Sequence, residues 1–225
     1  MRVLDAFCNA GGASAGYRRA MPDAEIVGVD IVRQPRYPFT FVQGDAIEYI
    51  SEHAHEFDLV HASPPCHDHS TVGRQYAPRG TGWMLEATIR ELRRSGVDYV
   101  VENVEGARWP DDAPTFRLCG SSFHLDLRRH RRFHASFDVA APPCDHSWQT
   151  PRFPSLRNNL RKRGVLSPVV GVHGSTQFPG DRLLRMRAME IDWMTLAELN
   201  QALPPAYTEW IAKQWLAQRE GGQRC

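Results

Sequence analysis

Short apolar runs that end in an acid, a glycine or a proline pair, separated by stretches of helical spacing, fill the first hundred residues and leave few folds open. Arg2 to Phe7 is such a run, followed by small residues and by Gly11, Gly12 and Gly16, which reads as strand, tight turn and helix. Glu25 to Asp30 is a second strand, and Phe39 to Gln43 a third. Gly44-Asp45 and a periodic helix from Ala46 to about His53 follow. Phe57 to Ala62 is stopped by Ser63-Pro64-Pro65-Cys66, because consecutive prolines cannot continue a central ladder. Trp83 to Arg94 has helical spacing, and Val97 to Val101 returns to strand before Glu102-Asn103. Strands alternating with helices predict an α/β fold with a doubly wound, mostly parallel sheet, whose ligands gather at the carboxyl ends of the strands.

A chain of 225 residues is long enough for one buried core and a modest insertion. No apolar run reaches membrane-spanning length, so the expectation is a soluble protein with no membrane partner. Asp5 stands where a signal peptide would be apolar, which predicts a cytoplasmic setting. The five cysteines are scattered without a C-x-x-C pair, which argues against a disulfide framework and leaves room for a working thiol. The net charge of +1 does not itself suggest a polyanionic partner. Arginines cluster at Arg128, Arg129, Arg131 and Arg132 and again from Arg152 to Arg163, however, and so predict one basic face.

Periodic spacing lapses from about Ala140 to Asp181, where only Val169 to Val172 looks like a strand. It resumes at Leu183, with helices expected over Thr195–Gln201 and Ala206–Gln218, separated by Pro204-Pro205. The predicted organisation is one core built from residues 1–137 and 183–225, carrying a small basic insertion, 138–182.

Candidate chemistry sits at the strand ends. Asp5, Phe7, Ala10, Gly11 and Gly12 form a turn where backbone can approach a ligand closely, or where a helix can pack near the sheet. The spacing matches neither G-x-G-x-x-G nor G-x-x-x-x-G-K-[ST], so a dinucleotide or ATP is disfavoured. Asp30 is placed to accept from ribose hydroxyls, or is a solvated loop acid. Asp45 could bind an adenine amino group, or cap the helix that starts at Ala46. Cys66 follows two rigid prolines, as a held nucleophile would, although a lone cysteine is more often a small buried side chain. Glu102 ends an apolar strand, which predicts a partly desolvated carboxyl with a raised pKa, or a structural ion pair. Arg129 to Phe133 alternates along an expected strand that puts Arg129 and Arg131 on one face, with Arg128 and Arg132 read as a solvated basic edge.

The order DAFCNAGG, GVD, GDA, SPPC, VVENV, RRHRRF and NQALPPAYTEWIA resembles the DNA (cytosine-5) methyltransferases, particularly the compact bacteriophage and actinobacterial type. The resemblance covers roughly residues 1 to 137 and 183 to 216. It implies a Rossmann-like S-adenosylmethionine-dependent methyltransferase fold, S-adenosylhomocysteine as the product of the donor, DNA as partner, and action as a monomer. Phe7, Ala10, Gly12, Asp30, Ile31, Asp45, Ala46 and Pro65 match cofactor-contacting positions, with Phe7 on adenine, Asp30 on ribose and Asp45 on the adenine amino group. Cys66 matches the nucleophile and Glu102 the acid that holds the cytosine ring. Arg131, together with Arg129, matches the arginines near the cytosine carbonyl.

Three departures from the family pattern matter. Asn9 replaces a usual glycine. Pro204-Pro205-Ala206-Tyr207 replaces Gly-Asn-Ser/Ala-Val, which keeps a carboxylated relative of the donor as an alternative, and tRNA remains an alternative substrate. The region between Phe133 and Leu183 is short for a target-recognition domain and predicts a short target sequence. Arg152, Arg157, Asn158, Arg161, Lys162 and Arg163 are its best candidates for DNA contact. Cys144 and His146, with Cys119 and His173, have zinc-ligand chemistry but no recognised finger spacing, so ordinary loop residues and no metal are expected.

Overall fold

The computed structural model describes residues 1–65, 82–149, 169, 170, 172 and 181–222. Among these, seven strands form one sheet: β1 (Arg2–Ala6), β2 (Glu25–Asp30), β3 (Thr40–Gln43), β4 (Leu59–Ala62), β5 (Asp98–Asn103), β6 (Phe116–Leu118) and β7 (Arg131–Ala135). Their order is β3-β2-β1-β4-β5-β7-β6. β1 to β5 are parallel, and β7 alone runs antiparallel to both of its neighbours. The helices are α1 (Gly12–Ala20), α2 (Ala46–His53), α3 (Trp83–Ser95), α4 (Asp181–Met189), α5 (Leu196–Gln201) and α6 (Pro205–Gly222). The protein is therefore α/β, with a mostly parallel mixed sheet flanked by helices. No helix of the described residues is long and apolar enough to cross a membrane.

Successive strand residues point to opposite faces, and both faces are apolar because helices cover both. Val3, Ile26, Leu59 and Val100 pack with Tyr17 of α1 and with Tyr207, Ile211 and Trp215 of α6. Their chain neighbours Leu4, Val27, Val60 and Val101 pack on the other side with Ile50 of α2 and with Leu85, Ile89 and Leu92 of α3. Local signals bound the helices. Asp45 Oδ1 accepts from the backbone N–H groups of Ile47 and Glu48 at the start of α2, Gly96 ends α3 at φ 71°, and Thr195 and Glu198 form a capping box on α5.

Two of the opening glycines serve packing. A Cβ on Gly16 would lie 2.1 Å from the carbonyl oxygen of Pro205, and one on Gly12 would lie 2.5 Å from that of Leu203. The absence of side chains there lets α6 and the segment before it press against α1, a contact with another helix rather than with the sheet.

Several expectations need correction. Glu102 and Asn103 lie within β5, which extends past Val101. Arg129 and His130 precede β7, so Arg129 does not share a strand face with Arg131. Nor is β7 an edge: β6, too short and mixed to stand out in the sequence, covers its outer side. Val169, Val170 and Val172 are irregular; Val170 donates to Asp126 at 2.7 Å and Val172 packs into the core, so apolar character reflects burial rather than a ladder. Pro205 is the first residue of α6, where its missing N–H removes no helical bond. Asp138 and Ala140 lie against α6, with Ala140 receiving the Trp210 indole at 3.0 Å and donating to Gln214 at 2.8 Å, and the chain then runs to the 119–130 region, where Gln149 donates to the Leu125 carbonyl at 3.0 Å.

Candidate active site

The chain passes from β1 outward to β2 and β3, then returns to β4 on the other side of β1. The carboxyl ends of β1 and β4 therefore flank the point where strand order reverses, and a crevice forms there. After β1 the backbone turns through left-handed conformations at Phe7 (φ 59°), Asn9 (φ 46°) and Gly11 (φ 85°). Asn tolerates this region better than most residues. The turn is held by the Asp30 carboxylate, which accepts from the backbone N–H groups of Asn9 at 3.0 Å and Val32 at 2.9 Å. Below it, the buried Asp5 carboxylate accepts from the Ser14 backbone N–H at 3.1 Å and from the Ser14 hydroxyl, which also bonds the Tyr37 hydroxyl at 2.6 Å. Burial pushes the Asp5 carboxyl up to about 7, against the pull of its Ser14 hydrogen bonds.

The resulting cleft is small and open to solvent, with a cavity volume of about 30 Å³. Asp5, Phe7, Cys8, Asn9, Gly12 and Ala13 line one side, Ser63, Glu102 and Arg131 another, and Gln201, Ala202 and Leu203 close it from the carboxyl-terminal segment.

Glu102 and Arg131 form the polar wall. Glu102 pairs with Phe133 in the β5–β7 ladder, so Arg131, two residues from Phe133, projects from the same face diagonally beside it. Arg131 Nε lies 2.9 Å from Glu102 Oε1. Burial raises the Glu102 carboxyl above the usual range, opposed by the Arg131 guanidinium, then by Arg129, and by a hydrogen bond from Ser63. Ser63 in turn bonds the buried His61 Nε2 at 2.9 Å, and the Tyr17 hydroxyl lies 3.0 Å from His61 Nδ1. Desolvation drives the His61 pKa down to about 3, so the imidazole is neutral at ordinary pH. It positions the Ser63 hydroxyl without adding charge.

Of the residues singled out from the sequence, Asp5, Phe7, Gly12, Glu102 and Arg131 meet in this cleft. Asp30 stands behind the turn as its anchor. Ile31 projects into solvent at 67% exposure beside Val32 at 62%. Gly11 forms the left-handed start of α1. Ala10 is buried, and its carbonyl accepts the Trp193 indole N–H at 2.8 Å. Asp45 is exposed and caps α2, with Ala46 buried in the first turn of that helix. Pro65 is half-buried at the end of the loop leading from β4. Arg129 is buried and donates to the carbonyls of Val172 and Asn200, each at 2.8 Å, which makes it a tie between segments beside the cleft. Cys66, Arg152, Arg157, Asn158, Arg161, Lys162, Arg163 and His173 lie outside the described residues.

Sequence reasoning missed Ser63, Asn103 and the Gln201–Leu203 segment. The first two lie inside the strings SPPC and VVEN and could have been weighed with their neighbours. Gln201 to Leu203 carries no local signal, because only the packing of α5 and α6 brings it to the cleft. No protein-family model matches the chain, and no curated protein sequence does.

Proposed function

We propose that this chain transfers the methyl group of S-adenosylmethionine to carbon 5 of cytosine in DNA, with Cys66 as covalent nucleophile. The observation that carries the reading is the buried Glu102, paired with the half-buried Arg131, facing the Phe7–Gly12 turn across one cleft, with Ser63-Pro64-Pro65 at its rim leading directly into Cys66. It stands together with the resemblance of these strings to the DNA (cytosine-5) methyltransferases.

The residues present fit the donor. Phe7 offers a half-buried ring at the end of β1, and Ile31 and Val32 present exposed apolar side chains next to Asp30, where a nucleoside base would cover them. Asp30 and Asp45 each keep acceptor capacity beyond the backbone bonds they already receive. When bound, S-adenosylmethionine supplies an electrophilic methyl carbon on a sulfonium.

The remaining chemistry belongs to the chain. The Cys66 thiolate bonds to carbon 6 of cytosine, and the displaced electron pair makes carbon 5 nucleophilic toward the methyl carbon. Glu102, raised by burial toward its protonated form, can donate to ring N3 while its other oxygen accepts from the exocyclic amine, drawing charge out of the ring as addition proceeds. Arg131 holds Glu102 in place and offers further N–H groups toward the carbonyl side of the base. Loss of the carbon 5 proton and expulsion of Cys66 then release 5-methylcytosine. A base stacked in a duplex cannot reach such a cleft, so the target nucleotide must flip out.

The test is mass spectrometry of nucleosides from DNA incubated with the protein and S-adenosylmethionine, with the Cys66→Ala variant as control. 5-Methylcytosine formed only by the wild type is the expected result. Unmodified DNA from a folded protein, modification confined to tRNA, or a carboxymethylated product formed only with a carboxylated donor would overturn the proposal as stated.

A further inference from the structure

Outside the cleft, four side chains with metal-ligand chemistry converge. Cys119 follows β6, His130 immediately precedes β7, and Cys144 and His146 come from the segment that follows β7. One ligand atom from each lies within 4.8 Å of all the others. His146 Nε2 is 3.0 Å from Cys144 Sγ and 3.3 Å from Cys119 Sγ, and His130 Nε2 is 3.3 Å from Cys144 Sγ. Tetrahedral zinc, with bonds of about 2.3 Å to sulfur and about 2.0–2.1 Å to nitrogen, sets sulfur and nitrogen ligands about 3.5 Å apart. The observed spacings are close to that, with both imidazoles turning Nε2 toward the thiols.

We propose that Cys119, His130, Cys144 and His146 bind one structural zinc ion. Two thiolates and two imidazoles complete a closed four-coordinate set, which suits a structural rather than a catalytic ion. The surroundings support the ligands. Ser121 Oγ lies 3.4 Å from Cys119 Sγ and 3.5 Å from Cys144 Sγ, and Glu105 Oε2 lies 3.7 Å from His130 Nδ1, on the side of the ring away from the thiols. A carboxylate in that position orients a ligating histidine. Thiols and imidazoles alone are weak partners for one another, whereas a divalent ion satisfies all four at once.

The ion would join three loops, adding to the hydrogen bonds that Ser122, Arg128 and Gln149 already make between them. It would pin the 138–149 segment to the sheet and fix the residue directly before Arg131, whose guanidinium reaches Glu102. The sequence pairs Cys119, Cys144 and His146 with His173, but the fold supplies His130 as the fourth ligand. It goes unseen in the sequence because it sits within an arginine-rich run that reads as a basic strand.

The test uses the full chain, purified without chelator, and measures zinc by mass spectrometry. About one zinc per chain is expected, falling to below about a tenth of that in the Cys144→Ser/His146→Ala double variant. Cobalt(II) exchanged into the wild type should show visible d–d bands of tetrahedral intensity and a thiolate charge-transfer band. If the double variant does not fold, His130→Cys decides: it preserves the metal and adds a third thiolate, raising the charge-transfer intensity by roughly half. Folded wild type without stoichiometric zinc, zinc retained by the double variant, a cobalt spectrum indifferent to His130→Cys, or a Cys119–Cys144 disulfide would each overturn the assignment.

Discussion

Asn103 donates its side-chain N–H to the carbonyl of Pro64 at 3.1 Å, a buried bond that fastens the end of β5 to the loop leaving β4. The Asn103 side-chain Oδ1 accepts from the Val104 backbone N–H at 2.9 Å, so the side-chain amide is oriented from both ends. Adjacent strand ends are thereby locked at the rim of the cleft, directly before Cys66. Asn103→Ala leaves the Pro64 carbonyl buried without this donor and should destabilise the fold by about 1–3 kcal/mol in urea denaturation. Under the proposed function it should also lower kcat while leaving donor affinity unchanged, because the residue does not line the cleft.

Arg131→Met removes the charge beside Glu102. A buried ion pair broken on one side is destabilised by about 3–5 kcal/mol when the remaining partner stays charged. Without the guanidinium the Glu102 carboxyl rises further above its ordinary value, so the folded variant holds a proton that the unfolded chain releases. Its stability should therefore fall as pH rises from the ordinary carboxylate range to neutral, more steeply than that of the wild type. The double variant Glu102→Gln/Arg131→Met should recover most of the loss at the upper pH. Denaturation midpoints at the two pH values check both statements.

Asp5 is raised by burial to about 7 from a reference value of 3.8. Below the unfolded value both states are protonated and the residue carries no penalty. Between the two values the folded state keeps a proton that the unfolded state has lost, so stability declines as pH rises, and the decline is complete above the folded value. Asp5→Asn keeps an acceptor for Ser14 and removes the titration. The wild type should lose on the order of 4 kcal/mol relative to this variant between about pH 4 and about pH 8, measured as melting temperature against pH.

Gly16→Ala would place a methyl group 2.1 Å from the Pro205 carbonyl oxygen and 2.1 Å from Thr208 Oγ1. The first contact is with backbone, so α6 must move off α1, at a cost of about 1–3 kcal/mol or more. Gly44→Ala meets nothing within 4 Å and is the matched control, expected to change stability by less than about 0.5 kcal/mol. Thermal denaturation of the two variants separates a spacer glycine from an open one.

The parallel half of the sheet was legible because its signals are local. Val3-Leu4, Ile26-Val27 and Leu59-Val60 are neighbours that divide between the two faces. The burial of Glu102 was legible for the same reason, as an acid at the end of VDYVV. Asp45 was not: an acid before a helix can serve a ligand or the helix itself, and only its 2.8 Å and 3.0 Å bonds to Ile47 and Glu48 show that it caps. β7 was legible from its alternation, although it starts at Arg131 rather than Arg129, whereas β6 was obscure because Phe116–Leu118 is short and becomes a strand only through its pairing with β7.

Sequence by itself determined which side chains face which layer and which strand ends carry acids, since a repeat of two residues and a helical turn are set within a few positions of the chain. Tertiary structure alone decided that Arg131 rather than Arg129 meets Glu102, that Gly12 and Gly16 make room for the carboxyl-terminal segment, and that His130 joins Cys119, Cys144 and His146. Those outcomes depend on contacts between segments far apart in the chain, where loop paths and packing, not local spacing, set the distances.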